Sequence, residues 1–371
     1  MQPSPRPRPP CCRPPCRSSP GYGRSVWLVA LVVLLSARPL PARDVQLRLE
    51  PVSTLGPETL AVVINEADPA SVEVGEYYAA RRGLPGANVV RVRFTAGTPV
   101  LGVEEFARVR AEVSGKSPPE VQAYALAWTL PYRVGCMSVT SAFTFGFDEA
   151  FCAVGCQPTR QSPYFQSSAR RPHQELGLRP AMLLAGSSVE AAKRTIDRGV
   201  AADATRPAGT AYLLSTADRA RNVRASSYSE ITEKLGAFVR VETIEADALT
   251  GRDDVLFYFT GKARVPDLDT LRFRDGAIAD HLTSNGGTLV DSPQMSALEW
   301  LDAGATASYG TVVEPCAFPQ KFPHPGVVIA RYLAGETLIE AYWKSVLWPG
   351  QGVFVGEPLA RPYPSLRFVL E

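Results

Sequence analysis

The stretch Thr59-Leu-Ala-Val-Val-Ile-Asn65 is a continuous apolar run rich in β-branched residues. An uninterrupted run of this kind indicates a strand that is buried on both faces, as in a parallel sheet covered by helices on both sides. After it, Ser71 is predicted to cap a helix that ends at Gly83. The first unit of the chain is therefore predicted to be a strand followed by a helix.

The same alternation of strand and helix patterns continues along the rest of the chain. Further strands are predicted at 88–94, 121–128, 181–186, 210–215, 239–245, 255–260, 288–291, 306–313 and 353–355. Further helices are predicted at 103–113, 189–202, 227–238, 275–283, 295–303, 327–333 and 338–346. Such alternation is typical of βαβ units. We therefore predict one α/β domain over residues 43–371, with a doubly wound, mostly parallel sheet.

The pattern lapses between residues 129 and 178, a segment rich in Cys, Ser, Pro and Tyr. A loop of this length inside a domain is usually functional or an inserted subdomain, and we predict an irregular insert here. It contains Cys136, Cys152 and Cys156, whereas Cys316 lies far along the chain. We expect a disulfide among the first three, with a metal site or free buried thiols as the alternatives.

Residues 1–42 have the pattern of a secretory signal peptide. An arginine- and proline-rich lead precedes the apolar run 26–35, and small residues follow at 36–42. The run is too short to span a bilayer comfortably, which takes about 20 residues. We predict export, cleavage near Arg43 and no membrane span in the mature protein. An uncleaved N-terminal anchor is the alternative.

The charge distribution argues against nucleic acid as a partner. The 371 residues carry a formal net charge of +2, but residues 1–42 hold six arginines and no acidic residue. The remainder has 39 − 6 = 33 basic and 37 acidic residues, a net charge of −4. Binding to nucleic acid depends largely on neutralising phosphates, which an acidic surface does not favour. The sequence also lacks a nucleotide-binding loop or a metal motif, so we predict no cofactor and no metal.

Candidate functional residues follow two predicted strands. Asp291 and Ser292 end the strand at 288–291, and Glu314 and Cys316 follow the strand at 306–313. His281, in the predicted helix 275–283, is one of only three histidines. Because the carboxyl ends of parallel strands meet at one edge of a sheet, we expect these residues to form a site.

Structural explanations for these residues remain open. Asp291 and Ser292 are also suited to capping the next helix, and His281 to ending its own helix. Cys316 is a candidate nucleophile if a base lies nearby, a disulfide partner for the insert, or an inert thiol.

Longer stretches of the sequence resemble a family of exported bacterial proteins, without an assigned activity, found in species that carry exosortase. The resemblance covers nearly the whole chain from about residue 55, and its motifs are 179–185, 196–199, 218–224, 276–283, 302–316 and 341–358. It implies an exported protein of the cell envelope.

A more distant resemblance has chemical content. The order of strands, the paired helices and the sequence Phe354-Val-Gly-Glu-Pro358 are similar to the C-terminal half of gingipain-like cysteine peptidases, which have a caspase-like fold. In that group a His-Gly after one strand and a Cys after the next strand form the catalytic dyad. The matching positions here fall near Thr260-Gly261 and Asp291-Ser292, so the dyad is missing.

Two functions follow from this resemblance. The first is a non-catalytic or diverged accessory protein that binds a cell-envelope protein or glycan at the strand ends. The alternative is a peptidase-like hydrolase acting on envelope or surface polypeptides. It would use Ser292 or Cys316 as nucleophile with His281, supported by Asp291 and Glu314.

Overall fold

A ten-stranded sheet organises the computed structural model, which describes residues 47–153 and 155–370. Alternating strands and helices build it, so the predicted α/β class with a large, mostly parallel sheet is confirmed. The strands are β1 Leu47–Pro51, β2 Leu60–Asn65, β3 Val89–Val92, β4 Val100–Leu101, β5 Ala123–Leu126, β6 Arg133–Val134, β7 Met137–Ser138, β8 Ala181–Leu183, β9 Thr210–Ser215, β10 Arg240–Glu245, β11 Val255–Thr260, β12 Phe273–His281, β13 Ala307–Thr311, β14 Gly352–Gly356 and β15 Leu366–Leu370.

The α-helices lie on both faces of this sheet. They are α1 Pro69–Arg82, α2 Val103–Lys116, α3 Val139–Phe145, α4 Pro172–Leu176, α5 Val189–Ala202, α6 Tyr228–Leu235, α7 Ala297–Ala303, α8 Pro325–Leu333 and α9 Leu338–Trp343. Buried side chains of α1, α5, α6, α8 and α9 share one core cluster, whereas those of α2 and α3 belong to a second cluster, to which α7 also contributes. The residues from Leu47 onward form one compact unit.

The strand order in the main sheet is β10-β9-β11-β12-β13-β14-β8-β5-β2-β3. Neighbouring strands are parallel except β13 and β14, which pair antiparallel. The sheet therefore has two parallel halves that run in opposite directions. The carboxyl ends of β5 and β8 lie at one edge, and those of β11, β12 and β13 lie at the other.

The first strand and helix lie where the sequence places them, but the helix cap differs. All six residues of β2 are buried, as expected for a strand covered on both faces. Helix α1 ends at Gly83, which adopts the left-handed conformation. Asp68, rather than Ser71, caps the helix by accepting from the N–H of Ala70. The Ser71 hydroxyl instead accepts from the N–H of Asn65 and joins α1 to β2.

Two predicted elements next to the candidate site are wrong. Of residues 275–283, predicted as a helix, 275–281 belong to β12, which is buried from Gly276 to His281, and the last two residues follow the strand. A short apolar run cannot be assigned to helix or strand from periodicity alone, and pairing with β11 and β13 decides the matter here. Residues 288–291, predicted as a strand, lie in the loop between β12 and α7. The place between β11 and β13, which a strand at 288–291 would occupy, is occupied by β12.

The insert is more regular than predicted. Residues 129–178 include β6, β7, α3 and α4, and β6 and β7 form a small three-stranded sheet with β4. Elements of two to seven residues are too short to show a repeating pattern in the sequence. Two disulfides hold this region, one between Cys136 and Cys152 and the other between Cys156 and Cys316. The expected disulfide among the first three cysteines is therefore present.

The first prediction concerns these disulfides. Peptide mapping under non-reducing conditions should recover the pairs Cys136–Cys152 and Cys156–Cys316. Replacing Cys136 and Cys152 by alanine should lower the free energy of unfolding by about 3 kcal/mol, because the unfolded chain gains loop entropy. Recovery of all four residues as free thiols would contradict the assignment.

The second prediction concerns Gly310, where the loop after β12 packs directly on β13. A Cβ atom at Gly310 would overlap the backbone of Gly286 and Gly287. Gly310→Ala should therefore lower the free energy of unfolding by about 2–3 kcal/mol. Gly115→Ala is the control, since its Cβ would meet no atom within 4 Å. Because Gly115 lies in the last turn of α2, this control should leave stability unchanged or raise it by at most about 0.5 kcal/mol. Equal effects on denaturant unfolding would refute the argument.

Candidate functional site

A cleft of about 730 Å³ lies along one side of α7. Its opposite wall consists of the residues that follow β5 and β8 and the first turns of α1 and α5. The chain leaves the neighbouring strands β2 and β5 on different faces of the sheet. Helix α1, which follows β2, packs in one core cluster, whereas α3, which follows β5, packs in the other. Open α/β sheets bind ligands where the connections at the carboxyl ends diverge in this way.

The lining of the cleft is mainly apolar. The apolar side chains that line it include Val74, Ala127, Leu184, Val189, Leu289 and Leu298. One polar contact stabilises the wall after β5 and β8, and a second joins this wall to α7. The Thr129 hydroxyl donates to the carbonyl of Gly186 at 3.0 Å, and the Ser187 hydroxyl donates to the Asp302 carboxylate at 2.9 Å. An apolar cleft with a few fixed polar groups is typical of a ligand site.

Asp291 and Ser292 line this cleft. Asp291 is exposed and has a φ of 52°, in the left-handed region. The Ser292 hydroxyl donates to the carbonyl of Asn285 at 3.1 Å and accepts from the N–H of Gln294 at 3.2 Å. Ser292 therefore closes the loop on itself and contacts no histidine.

Neither of these two residues caps α7. Ser296 is the capping residue, and its side chain accepts from the N–H of Leu298. The Glu299 carboxylate accepts from the N–H of Ser296 at 3.0 Å, which completes a capping box. The capping explanation for Asp291 and Ser292 is therefore wrong, because the helix begins at Ala297, five residues after Ser292.

His281 is buried at the end of β12 and is not part of the cleft. Its Nε2 lies 3.1 Å from the carbonyl oxygen of Met295, and its Nδ1 accepts from the indole N–H of Trp300 at 2.8 Å. Burial lowers the pKa of His281 to about 3. The imidazole is therefore neutral, with the proton on Nε2, and both ring nitrogens are occupied.

An ion pair lies beside His281 in the core. The Arg224 guanidinium donates to the Asp280 carboxylate at 2.6 Å and to the carbonyl of Thr260 at 2.7 Å. Burial raises the pKa of Asp280 to about 6, against the opposing effect of Arg224. The pair joins the chain after β9 to the ends of β11 and β12. The sequence motif 218–224 contains this arginine, but its role depends on a partner 56 residues away.

Glu314 and Cys316 lie at the opposite edge of the sheet, in a small pocket of about 130 Å³. The Glu314 carboxylate accepts from the N–H of Cys316 at 2.7 Å, and Cys316 is bonded to Cys156. The same pocket contains Thr283, whose hydroxyl accepts from Arg221 at 3.0 Å. In this state Cys316 has no free thiol and is a disulfide partner of the insert.

The predicted site residues therefore separate into three places. Asp291 and Ser292 line the cleft, Glu314 and Cys316 line the small pocket, and His281 is buried. The premise that they follow neighbouring parallel strands fails for Asp291, which follows no strand.

Further cleft residues follow β5 and β8 and are not among the predicted site residues, namely Trp128, Thr129, Ser187 and Ser188. Polar residues directly follow both predicted strands in the sequence. The tendency of ligands to bind at the carboxyl ends of strands therefore also points to these positions.

Among the described residues, no group of three or more His, Cys, Asp or Glu side chains is placed to hold a metal ion. No helix within 47–153 or 155–370 is both long and apolar enough to cross a membrane. The predicted signal peptide and the cleavage position near Arg43 lie outside the described residues.

The third prediction follows from the burial of neutral His281. Its pKa is about 3 in the folded protein against 6.5 ordinarily, so the unfolded state binds more protons between these values. Stability must then fall as the pH decreases through this window. From about pH 6 to about pH 4, the wild type should lose about 1.4 kcal/mol per pH unit more than His281→Gln.

Glutamine is the suitable replacement because it keeps one donor and one acceptor for Met295 and Trp300. The measurement is denaturant unfolding of both proteins at several pH values. Parallel pH profiles for the two proteins would show that His281 is solvated and free to titrate.

Comparisons with family models, curated proteins and solved structures find no match to this chain. The geometry described above is therefore the basis for assigning a function. Its main elements are the apolar cleft beside α7, the neutral buried His281 and the bridged Cys316.

Proposed function

We propose that the protein is an exported, non-catalytic binding protein of the cell envelope that holds a polypeptide segment in the cleft beside α7. The observation that carries this proposal is the cleft itself. It has the volume of a ligand site, an apolar lining and a position at the carboxyl ends of β5 and β8.

The hydroxyl groups in the cleft have structural partners. Thr129, Ser292 and Ser296 donate to backbone carbonyls, Ser187 donates to the Asp302 carboxylate, and Ser188 caps α5. None of the three histidines lines the cleft. A serine nucleophile needs a base in contact with its hydroxyl, and the one such contact in the cleft is between Ser187 and the carboxylate of Asp302, with no histidine or lysine beside it. Binding without catalysis is the function that suits these contacts.

The resemblance to gingipain-like peptidases supports the same proposal. In that group the dyad follows two successive strands, and the corresponding strands here are β11 and β12. Gly261 follows β11, and Leu282 and Thr283 follow β12. The position that corresponds to the dyad cysteine is therefore Leu282-Thr283 rather than Asp291-Ser292. Neither His nor Cys stands at the matched positions. A caspase-like fold without its dyad is consistent with a diverged binding protein.

Several features support an envelope location. Two disulfides are typical of proteins that fold in an oxidising compartment. The apolar run at 26–35 and the resemblance to an exosortase-associated family point the same way. A polypeptide suits the cleft better than a glycan, because glycans present mostly hydroxyl groups and the walls are mostly aliphatic.

The hydrolase alternative finds no support among the described contacts. Ser292 is hydrogen-bonded within its own loop, and Cys316 is bonded to Cys156. His281, the base that either nucleophile would need, has both ring nitrogens engaged with Met295 and Trp300.

The fourth prediction tests the cleft with a matched pair of variants. Val189 is the first residue of α5 and lines the cleft, whereas Val103 is the first residue of α2 and lies outside it. Peptides selected on the purified protein from a random phage-displayed library should bind Val189→Trp at least about tenfold more weakly, because the indole occupies part of the cleft and obstructs the peptide. Val103→Trp should bind them like the wild type.

Affinity is measured by calorimetry with synthetic copies of the selected peptides, and thermal unfolding shows that both variants are folded. The selected peptides should also remain intact on long incubation with the protein. Binding that Val189→Trp leaves unchanged would refute the cleft as the site. Cleavage that is lost in Ser292→Ala would refute the non-catalytic assignment.

A further inference from the structure

We infer that the cleft selects extended segments in which two basic residues, about three positions apart, flank apolar side chains. This inference rests on the proposed function of the cleft and specifies the chemistry of its occupant. It follows from the charge of the lining, the pairing of each carboxylate and the length of α7.

The ionisable side chains that line the cleft are all acidic. They are Asp291, Glu299 and Asp302, and no Lys, Arg or His lines the cleft. An occupant that carries carboxylates would meet like charges, whereas lysine or arginine side chains would find partners.

Two of these carboxylates, Asp291 and Asp302, form no ion pair among the described residues, although the half-buried Arg198 attracts Asp302 electrostatically. Glu299 is paired with Arg264 at 3.1 Å, so its charge is largely compensated. Asp302 accepts only a neutral hydroxyl, that of Ser187. Asp291 has no hydrogen bond or ion pair from its side chain among the described residues and is exposed. Asp291 and Asp302 are therefore free to pair with cations of a ligand.

These two carboxylates lie toward opposite ends of α7. Asp291 is two residues from Leu289, whose carbonyl accepts from the capping residue Ser296, and Asp302 is in the last turn of the helix. A helix of seven residues is about 10 Å long. An extended peptide covers that length in about three residues.

Apolar residues lie between the two carboxylates. Leu289 and Leu298 line this part of the cleft, facing the wall that contains Leu184 and Val189. The side chains between the two basic residues of a bound segment would therefore be apolar. The sequence pattern that fits is basic, apolar, apolar, basic.

The test uses three labelled peptides that differ only in charge. They are acetyl-Gly-Ser-Lys-Leu-Val-Lys-Ser-Gly-amide and the versions in which both lysines are replaced by glutamine or by glutamate. Fluorescence anisotropy should give about fivefold tighter binding for the lysine peptide than for the glutamine peptide, and the weakest binding for the glutamate peptide. The preference should shrink at high salt, since the carboxylates are exposed.

The double variant Asp291→Asn, Asp302→Asn should lose this preference. Asparagine tolerates the left-handed conformation of Asp291 and keeps an acceptor for Ser187. The control variant Glu104→Gln, Asp253→Asn removes the same charge from exposed positions outside the cleft and should keep the preference.

The outcomes separate this inference from the proposed function. Equal binding of the lysine and glutamine peptides, a preference that survives in the double variant, or no binding of the lysine peptide would overturn the inference. The cleft would still be a binding site if Val189→Trp weakens library-selected peptides. A lysine preference unaffected by Val189→Trp would place binding elsewhere and overturn both.

Discussion

The antiparallel pairing of β13 with β14 is the constraint on which the placement of every candidate residue depends. Five residue pairs, from Ala307 opposite Gly356 to Thr311 opposite Gly352, join the two parallel halves of the sheet. Because the halves run in opposite directions, their carboxyl ends lie at opposite edges. The loops after β5 and β8 therefore form one wall of the cleft, while the ends of β11, β12 and β13 lie at the opposite edge of the sheet.

The two edges differ in chemistry as a result. The edge at β5 and β8 keeps an open apolar cleft beside α7. At the other edge, Arg224 pairs with Asp280 below the surface, Arg221 contacts Thr283, and Cys316 is bonded to the insert. Burying two charges removes their hydration, so such a pair fixes geometry more than it adds stability. The edge at the ends of β11, β12 and β13 is thus occupied by structural contacts.

The insert connects the two halves of the protein without contributing to the cleft beyond its first residues, Thr129 and Leu130. One disulfide closes a loop within the insert, and the other joins Cys156 to Cys316 across 160 residues of sequence. A covalent link of this kind suits a segment with short helices and strands, because such elements bury little apolar surface. The disulfide to Cys316 holds the loop after β13 in place, and the cleft stays accessible.

The sequence by itself determined the fold class and most of the elements, because buried strands such as 60–65 and amphipathic helices such as 189–202 have strong periodic patterns. It also indicated a disulfide in the insert. Only the tertiary structure decided that 275–281 is a strand, since pairing with β11 and β13 overrides an ambiguous apolar run. It alone separated Asp291 from Glu314, made Cys316 a disulfide partner and buried His281. These outcomes depend on strand direction and on contacts between residues distant in sequence, which local patterns do not record.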